Sequence, residues 1–298
     1  MTTPRGGLRA VLVGVDGSGA SSRAVAVGTD EAQRRGLPLR LLTAATWRDH
    51  VLPGTEGGDV DLGGALRGGA EALLRDLAAE AAVVLGADRV SWQVAEGHPV
   101  DVLRAAAAQA PLVVVGTRGA GGVAGLRLGS TAGALVAAGV CPVLVVPDDT
   151  VVVRDRSSVV AGIEGRPEDE EVLAFAVGEA LARGTDLVAV HAWQDVTLET
   201  AFRSLGPLVD WAGVLSDEVR VLSEALTGWR EKEPGLVVRE VVVRDRAAPA
   251  LVSAALTAQL LVVGHRHRRV LARLGSTTSA LLHRAGCPVA VVPVGSGS

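Results

Sequence analysis

The first half of the chain alternates short apolar runs with alanine-rich segments of helical spacing. Strands are predicted at 10–15, 39–45, 89–95, 111–116 and 142–147. Helices are predicted at 21–35, 65–85, 98–110 and 130–138, and a polar, glycine-rich loop is predicted at 48–64. Continuous apolar runs are typical of parallel strands that helices cover on both faces. The alternation therefore predicts an α/β fold with a doubly wound parallel sheet.

The second half of the chain repeats the first. VLVGVDGS at 11–18 recurs as VVAGIEG at 159–165, and LVVVG at 112–116 recurs as LLVVG at 260–264, each 148 residues later. CPVLVVP at 141–147 recurs as CPVAVVP only 146 residues later, so about two residues are lost in between. Self-similarity of this kind indicates a tandem duplication of one α/β unit.

The repeat predicts two domains, at 1–150 and 157–298. Each is expected to be a five-stranded parallel sheet with helices on both faces. The linker at 147–158 is short, which predicts that the two units pack against each other. Their final strands are apolar edges, and such edges need cover or a partner. Pairing of these strands across a pseudo-two-fold axis would make an intramolecular pseudo-dimer, and a homodimer of whole chains stays open.

Charge and composition narrow the classes of function. The chain has 29 basic and 33 acidic residues, and its net charge of −4 argues against general nucleic-acid binding. Its apolar runs are far shorter than the roughly 18 residues of a membrane span, and no signal peptide is evident. We therefore expect no membrane contact and a cytoplasmic location. Cys141 and Cys287 are expected to be small buried residues before the final strands, not a disulfide or a metal site.

A glycine-rich loop follows the fourth predicted strand. It reads GTRG at 116–119, then nine residues, then GS at 129–130 at the start of a helix. Ligands of open α/β sheets bind beyond the carboxyl ends of the strands, and helix N-termini present unpaired N–H groups that suit phosphate. Glycine lets the backbone approach such a ligand closely, although turns need glycine as well. The loop is neither a Walker A motif nor a Rossmann fingerprint, because it lacks Gly-Lys-Ser/Thr and the required spacing.

Three side chains near this loop each allow two interpretations. Asp16 ends the first strand, where its carboxylate can accept from a base amino group or a ribose hydroxyl, or can cap the next helix. Ser130 is a hydroxyl donor to phosphate, a helix N-cap, or both. Arg118 has the charge to pair with a phosphate, and an ordinary surface arginine explains it as well.

The combined pattern resembles the ATP-binding universal stress protein family. The likeness is carried by Gly-x2-Gly-x9-Gly-Ser after an apolar strand, by VGVDGS near the start of the first copy and by CPVLVVP at its end. It covers nearly the whole chain, twice, and implies a Rossmann-like fold of the adenine-nucleotide-hydrolase type with a role in the stress response. The resemblance also implies ATP as the ligand, with Mg²⁺ carried on the triphosphate.

The resemblance assigns eleven residues of the first copy to the nucleotide. The adenine and ribose are expected against Gly14, Val15 and Asp16, with a further base contact near Thr46. The ribose and the phosphates are expected along Val115, Gly116, Arg118 and Gly119, and the distal phosphates at Gly129, Ser130 and Thr131.

The second copy departs from this pattern. It keeps the glycines and the serine at Gly264, Gly275 and Ser276. However, His267 stands where the second glycine of the loop is expected, the loop is two residues shorter, and Glu164 replaces the shorter aspartate. A side chain at 267 would crowd the phosphate path. The second copy is therefore predicted to bind nucleotide weakly or not at all.

No nucleophile paired with a base is visible in the sequence. The loop at 117–131 contains no Asp, Glu, His or Lys that could act as a base beside the distal phosphates. We therefore expect a nucleotide-binding regulatory protein and not an enzyme, in which nucleotide biases a conformation or a partner surface. Two alternatives stay open: a slow ATPase or phosphotransferase, and an interaction module that binds no nucleotide.

Overall fold

The computed structural model describes residues 9–45, 51–52, 60–119, 128–148, 158–193, 210–266 and 274–295. Within these residues the chain divides into two compact units, which separate after Asp148. Each unit is built on five parallel strands connected by helices, so the predicted α/β class with two tandem parallel sheets is confirmed.

The first unit contains the elements that position the candidate site. In chain order they are β1 (Val11–Gly14), α1 (Gly19–Arg34), β2 (Leu39–Ala45), β3 (Val51–Leu52), β4 (Val60–Asp61), α2 (Leu62–Leu85), β5 (Val90–Glu96), α3 (Pro99–Ala107), β6 (Val113–Gly116), α4 (Ser130–Ala138) and β7 (Val143–Val146). The short strands β3 and β4 pair antiparallel, where the sequence pattern predicts only a loop. Two-residue strands are too short to display an alternating pattern, which is why the prediction was wrong there.

The sheet of the first unit has the strand order β5-β2-β1-β6-β7, and every pairing is parallel. The chain runs outward from β1 to β5 and then returns to the other side of β1 with β6. The strand order therefore reverses between β1 and β6. Such a reversal opens a crevice beyond the carboxyl ends of the two strands, where ligands of doubly wound folds bind.

Helices cover both faces of this sheet, as neighbouring positions of β1 reveal. A Cβ on Gly28 of α1 would lie 2.5 Å from Cγ2 of Val13, whereas a Cβ on Gly14 would lie 3.2 Å from Cδ1 of Leu103 in α3. Successive residues of a strand point to opposite faces, so α1 and α3 lie on opposite sides of β1. Gly28 is the residue that allows α1 to approach the strand this closely.

The described part of the second unit repeats the order of the first, except that β3 and β4 have no described counterparts. Its elements are β8 (Ser158–Gly162), α5 (Asp169–Arg183), β9 (Asp186–Ala192), α6 (Trp211–Lys232), β10 (Val238–Val243), α7 (Ala247–Ala254), β11 (Ala258–Arg266), α8 (Ser276–Arg284) and β12 (Val289–Val294). The strand order β10-β9-β8-β11-β12 is parallel throughout and corresponds to the order in the first unit. None of the described helices is both long enough and apolar enough to span a membrane.

Both cysteines are buried beside a final strand, Cys141 before β7 and Cys287 before β12. Burial raises the pKa of the Cys141 thiol to about 11, and a hydrogen bond to the backbone of Val113 lowers it in part.

We expect the folded chain to resist an aromatic disulfide reagent at pH 8, because the thiolate that reacts is scarce and inaccessible. Labelling should become complete in denaturant. Rapid labelling of Cys141 in the folded chain would contradict this prediction.

Candidate functional site

A cavity of about 460 Å³ lies beyond the carboxyl ends of β1 and β6, where the strand order reverses. Ten of the eleven residues that the family resemblance assigns to the ligand line it: Gly14, Val15, Asp16, Val115, Gly116, Arg118, Gly119, Gly129, Ser130 and Thr131. Thr46, the eleventh, lies outside the described residues. The fold therefore brings two segments about 100 residues apart in sequence to one concave surface.

Asp16 lies at the rim of this cavity, just past the end of β1. Its Oδ1 accepts hydrogen bonds from the backbone N–H of Ser18 at 3.0 Å and from the Ser18 hydroxyl at 2.6 Å. Ser18, and not Asp16, caps α1, because its Oγ accepts from the N–H of Ser21 at 3.2 Å. The capping interpretation of Asp16 was therefore wrong. Its other oxygen, Oδ2, lies against Gly119.

The glycines of the loop bring its two ends together. A Cβ on Gly119 would clash with Oδ2 of Asp16, so any larger residue would occupy the space between the loop and the end of β1. The N–H of Gly129 donates to the carbonyl of Thr117 at 2.6 Å, which closes the loop at its base. Gly129 is also the N-cap of α4, so the first helical residue is Ser130 and the N-cap interpretation of that serine was wrong. Its exposed side chain lines the cavity.

Asp148 contacts the side chains at the start of the glycine loop. This residue was not predicted from the sequence as part of the site. Its carboxylate pairs with the guanidinium of Arg118, and it accepts at 3.4 Å from both Nη2 of Arg23 and Oγ1 of Thr117. Arg118 is thus an exposed arginine at the cavity rim that is paired with Asp148. The position of Asp148 directly after the fifth predicted strand was the available signal, because all carboxyl ends of a parallel sheet meet at one edge.

Apolar side chains form the opposite end of the cavity. Leu42 and Ala44 contribute from β2, Pro99 and Leu103 from α3, and Val115 from β6. Sequence reasoning named only the last of these, although helical spacing in HPVDVLR already places Pro99 and Leu103 on one face of α3. The cavity therefore has an apolar end and a polar end, the latter formed by Asp16, the loop and the first turn of α4.

The second unit has a different arrangement at the corresponding positions. Glu164, the counterpart of Asp16, pairs with Arg266 at 2.7 Å and with Arg166 at 3.5 Å. Strand β11 continues to Arg266, whereas β6 ends at Gly116, so Arg266, the counterpart of Arg118, lies within the strand and pairs with Glu164. His267 lies outside the described residues.

A hydrogen bond to the end of the first strand is common to both units. In the first unit Oγ1 of Thr43 donates to the carbonyl of Val15 at 2.8 Å. In the second unit the equivalent residue is the buried His191, whose Nδ1 lies 2.8 Å from the carbonyl of Ile163. Its Nε2 lies 2.8 Å from Oε2 of Glu218 in α6. His191 is therefore a residue of the buried interior that supports the strand end.

A buried carboxylate fixes the turn after β8. Oδ2 of Asp169 accepts from the N–H groups of Glu164 at 3.0 Å and Arg166 at 2.8 Å. Burial raises the pKa of the Asp169 carboxyl, although these backbone hydrogen bonds partly oppose the shift. The turn that carries Glu164 is thus held from within the second unit.

Comparison with known proteins agrees with this architecture. The family model described as "Universal stress protein family" matches residues 7–147 and again 156–293. Universal stress protein Rv2005c of Mycobacterium tuberculosis is 36% identical over 294 residues, which cover 94% of this chain and 96% of that protein. Universal stress protein Rv2623 of the same organism is 34% identical over 291 residues, with 94% and 95% covered.

A solved structure extends the comparison to the fold. The crystal structure of a universal stress protein from Archaeoglobus fulgidus has a TM-score of 0.70 and 20% identity, and the match covers 96% of this chain and 98% of that one. Fold and repeated sequence thus define an α/β protein with two tandem copies of one unit. The chain belongs to the universal stress protein family, and the resemblance seen in the sequence is confirmed.

Proposed function

We propose that the first unit binds ATP, with Mg²⁺ on the triphosphate, and that the chain acts as a nucleotide-responsive regulator in the stress response. One observation carries the proposal: a single cavity joins an apolar end, a carboxylate at a strand end and a glycine loop that leads into a helix N-terminus. These are the surfaces that a base, a ribose and a phosphate chain require, in that order.

The apolar end of the cavity suits the adenine ring. Leu42, Val115 and Leu103 offer apolar contact area to the ring. Asp16 suits a ribose hydroxyl, because a carboxylate accepts such a donor strongly. Its two hydrogen bonds from Ser18 fix its orientation before a ligand arrives.

The polar end suits the phosphates. Because Gly119 has no side chain, the loop can lie against Oδ2 of Asp16 at this end of the cavity. The N-terminus of α4 at Ser130 and Thr131 supplies N–H groups and hydroxyls without a positive side chain. Among the described residues no three His, Cys, Asp or Glu side chains are grouped to hold a metal ion. Mg²⁺ would therefore be carried by the triphosphate oxygens.

The second unit is expected to contribute little to nucleotide binding, because its carboxylate at the end of the first strand is already paired. Glu164 is already paired with Arg266, so a ribose hydroxyl would have to displace an arginine to reach the carboxylate. A partly exposed pair is individually weak, at about 0.2–1 kcal/mol, but the arginine also occupies space. We therefore propose that the first unit holds most of the nucleotide.

Calorimetric titration of ATP with Mg²⁺ into the full chain, checked beforehand for co-purified nucleotide, tests the proposal. We expect about one nucleotide per chain. Two per chain would show that the ion pair between Glu164 and Arg266 does not prevent binding, and it would overturn the proposal that the two units have unequal roles. An absence of binding would overturn the proposal itself and favour a pure interaction module.

Binding without fast turnover is part of the proposal. Among the described residues that line the cavity, Asp16 is the one acidic side chain, and we assign it to a ribose hydroxyl. No base is therefore placed to activate water at the distal phosphate. A phosphate-release assay with the purified chain should stay at the background rate. Turnover that survives purification and disappears in a Gly119→Val chain would favour the ATPase alternative.

Asp148 is expected to weaken binding of the triphosphate. Its carboxylate neutralises the positive charge of Arg118, which would otherwise attract the triphosphate. We expect Asp148→Asn to tighten ATP binding about threefold to tenfold, a gain of roughly 1 kcal/mol, and to leave adenosine binding unchanged. Parallel titrations with ATP and adenosine measure the difference, and Asp30→Asn, which alters a carboxylate of α1 paired with Arg34, is the matched control. Equal effects on ATP and adenosine would contradict an electrostatic role.

A further inference from the structure

The second unit holds the end of its first strand with two titratable side chains, where the first unit uses two hydroxyl groups. By the offset of 148 residues, Asp169 corresponds to Ser21 and His191 corresponds to Thr43. All four side chains are buried, and each makes a contact at the end of β1 or β8 or in the turn that follows it. Serine and threonine stay uncharged, whereas aspartate and histidine can gain or lose a proton. The two copies therefore differ in whether this part of the fold can bind protons.

His191 contacts two acceptors at once. Its Nδ1 lies 2.8 Å from the carbonyl oxygen of Ile163, and its Nε2 lies 2.8 Å from Oε2 of Glu218 in α6. A carbonyl oxygen and an ionised carboxylate only accept hydrogen bonds, while a neutral imidazole has a single N–H. Both contacts can therefore be hydrogen bonds only when one additional proton is present, on the imidazole or on the glutamate. The hydroxyl of Thr43 needs no such proton, and the counterpart of Glu218 in the first copy is Ala70.

Asp169 is the first residue of α5, and its carboxylate lies against the turn after β8. Its Oδ2 accepts from the N–H groups of Glu164 and Arg166 in that turn. Burial raises the pKa of this carboxyl, the hydrogen bonds from the turn oppose the rise in part, and the charge of Glu164 adds to it. A carboxyl whose pKa is raised by folding binds its proton more tightly in the folded chain than in the unfolded chain. Protonation of Asp169 therefore favours the folded second unit.

The other charged groups around this turn are paired or lie toward the surface. Glu164 is paired with Arg266 of β11 and with Arg166. The further charged residues at the start of α5 and beside Glu218 on α6 are exposed or partly exposed: Glu168, Glu170, Glu171, Asp217, Arg220 and Glu224.

The neighbouring strands bring one more ion pair to this face of the sheet. Glu240 of β10 is paired with Arg230 of α6. The buried His265 of β11 points to the opposite face, because a Cβ on the preceding Gly264 would meet Val172 of α5. In the described part of the chain, the turn after β8 thus has two buried proton sites, the aspartate and the histidine–glutamate pair.

We propose that the turn after β8, together with α5 and α6, is a proton-responsive element that stabilises the second unit as the pH falls to mildly acidic values. Protons would bind at Asp169 and between His191 and Glu218, and would fasten both helices to the end of the strand. The first unit has hydroxyl groups at the equivalent positions and would not respond through them. The second unit would then sense acidity, whether or not the first unit binds ATP.

The direction of the response follows from the number of bound protons. Above about pH 6.5, a histidine and a glutamate that are separated in the unfolded chain hold no proton between them. The folded pair of His191 and Glu218 holds one, so the free energy of unfolding falls as the pH rises. The contribution of Asp169 has the same sign: it is fully present below about pH 3.9 and is lost as the pH rises through the raised pKa of the folded carboxyl.

Amide hydrogen exchange of the full chain without nucleotide, followed by mass spectrometry between about pH 4 and about pH 8.5, tests the proposal. Peptides from β8 and α6 report the second unit, after correction for the intrinsic effect of pH on exchange. We expect the equilibrium constant for opening of this unit to rise about tenfold between about pH 6.5 and about pH 8.5, where one proton allows at most about a hundredfold.

Glu218→Gln should remove most of this rise. The glutamine amide can donate to Nε2 of His191 while Nδ1 still donates to Ile163, so both contacts remain without the additional proton. Glu224→Gln is the matched control, because it changes another glutamate of α6 that pairs with Arg220 at the surface, and it should keep the full rise.

Two further variants separate the contributions. His191→Thr installs the residue of the first copy and should flatten the same range. Only the pH dependence is compared in that chain, because the smaller side chain also changes the packing. Asp169→Asn should remove the part of the dependence that begins above about pH 3.9.

A rise that persists unchanged in the Glu218→Gln chain would overturn the proposal, and so would an equal loss of the rise in the Glu224→Gln control. No nucleotide is present in these measurements. Their result is therefore independent of the proposal that the first unit binds ATP, which the calorimetric titration tests separately.

Discussion

Replacing Gly119 by valine is expected to weaken ATP binding by about a hundredfold or more, roughly 3 kcal/mol of binding free energy. The new side chain would meet Oδ2 of Asp16 and fill the space between the loop and the end of β1. The free energy of unfolding should fall by only about 1 kcal/mol, because the clash is with the exposed Asp16 carboxylate and not with backbone, and moving that carboxylate costs its hydrogen bonds from Ser18. Gly119 does not have a positive φ, so valine adds no backbone strain there.

Calorimetry with ATP and thermal unfolding of the same preparation measure the two effects. Gly68→Val is the matched control, because a Cβ on Gly68 in α2 meets no atom within 4 Å and α2 does not line the cavity. Unchanged affinity in the Gly119→Val chain would remove the loop from the binding site. A large loss of stability alongside the loss of binding would instead make Gly119 a structural glycine.

Gly116→Ala, in contrast to Gly119→Val, should cause a large decrease in the free energy of unfolding. A Cβ on Gly116 would lie 2.7 Å from Cβ of Ala20 and 2.9 Å from its carbonyl carbon, so the first turn of α1 would have to move. Backbone is less able to give way than a side chain, and we expect the first unit to lose about 2–3 kcal/mol of unfolding free energy. ATP affinity should fall too, because α1 follows directly from Asp16 and Ser18.

The duplication supplies the control for this prediction. Gly264 is the equivalent residue of the second unit, and a Cβ there would meet only side chains, with Cγ2 of Val172 at 3.1 Å as the nearest atom. Gly264→Ala should therefore destabilise its own unit less than Gly116→Ala destabilises the first. Denaturant unfolding of both variants makes the comparison. Equal losses would show that the approach of α1 to β6 has no special importance.

Much of the fold follows from the sequence because its signals are local. Apolar runs, glycines and the repeat are visible within short windows, and the two-fold recurrence excludes most other arrangements. The position of the candidate cavity follows as well, since the carboxyl end of β6 and the start of α4 adjoin the glycine loop. The boundaries are less predictable: α2 begins at Leu62, not at residue 65, and β11 extends through Arg266.

What the sequence could not give are pairings between distant residues. Asp148 and Arg118 are 30 residues apart, and Glu164 and Arg266 are 102 apart, so no local pattern joins them. The N-cap of α1 was also predicted at the wrong residue, because local sequence does not distinguish two neighbouring candidates. Asp16 and Ser18 are both good N-cap residues, and only the backbone conformation at Ser18 decides which of them caps α1.

The pair formed by Glu164 and Arg266 has a consequence for how the whole chain would respond to its ligand. In the second unit the carboxylate of Glu164 is bound by Arg266 of the same unit, where a ligand hydroxyl would otherwise bind. The conformation of that unit would therefore not depend on nucleotide. With one responsive unit per chain, occupancy would rise hyperbolically with nucleotide concentration, and no threshold would arise within a single molecule. Any sharper response would have to come from other molecules that recognise the occupied form.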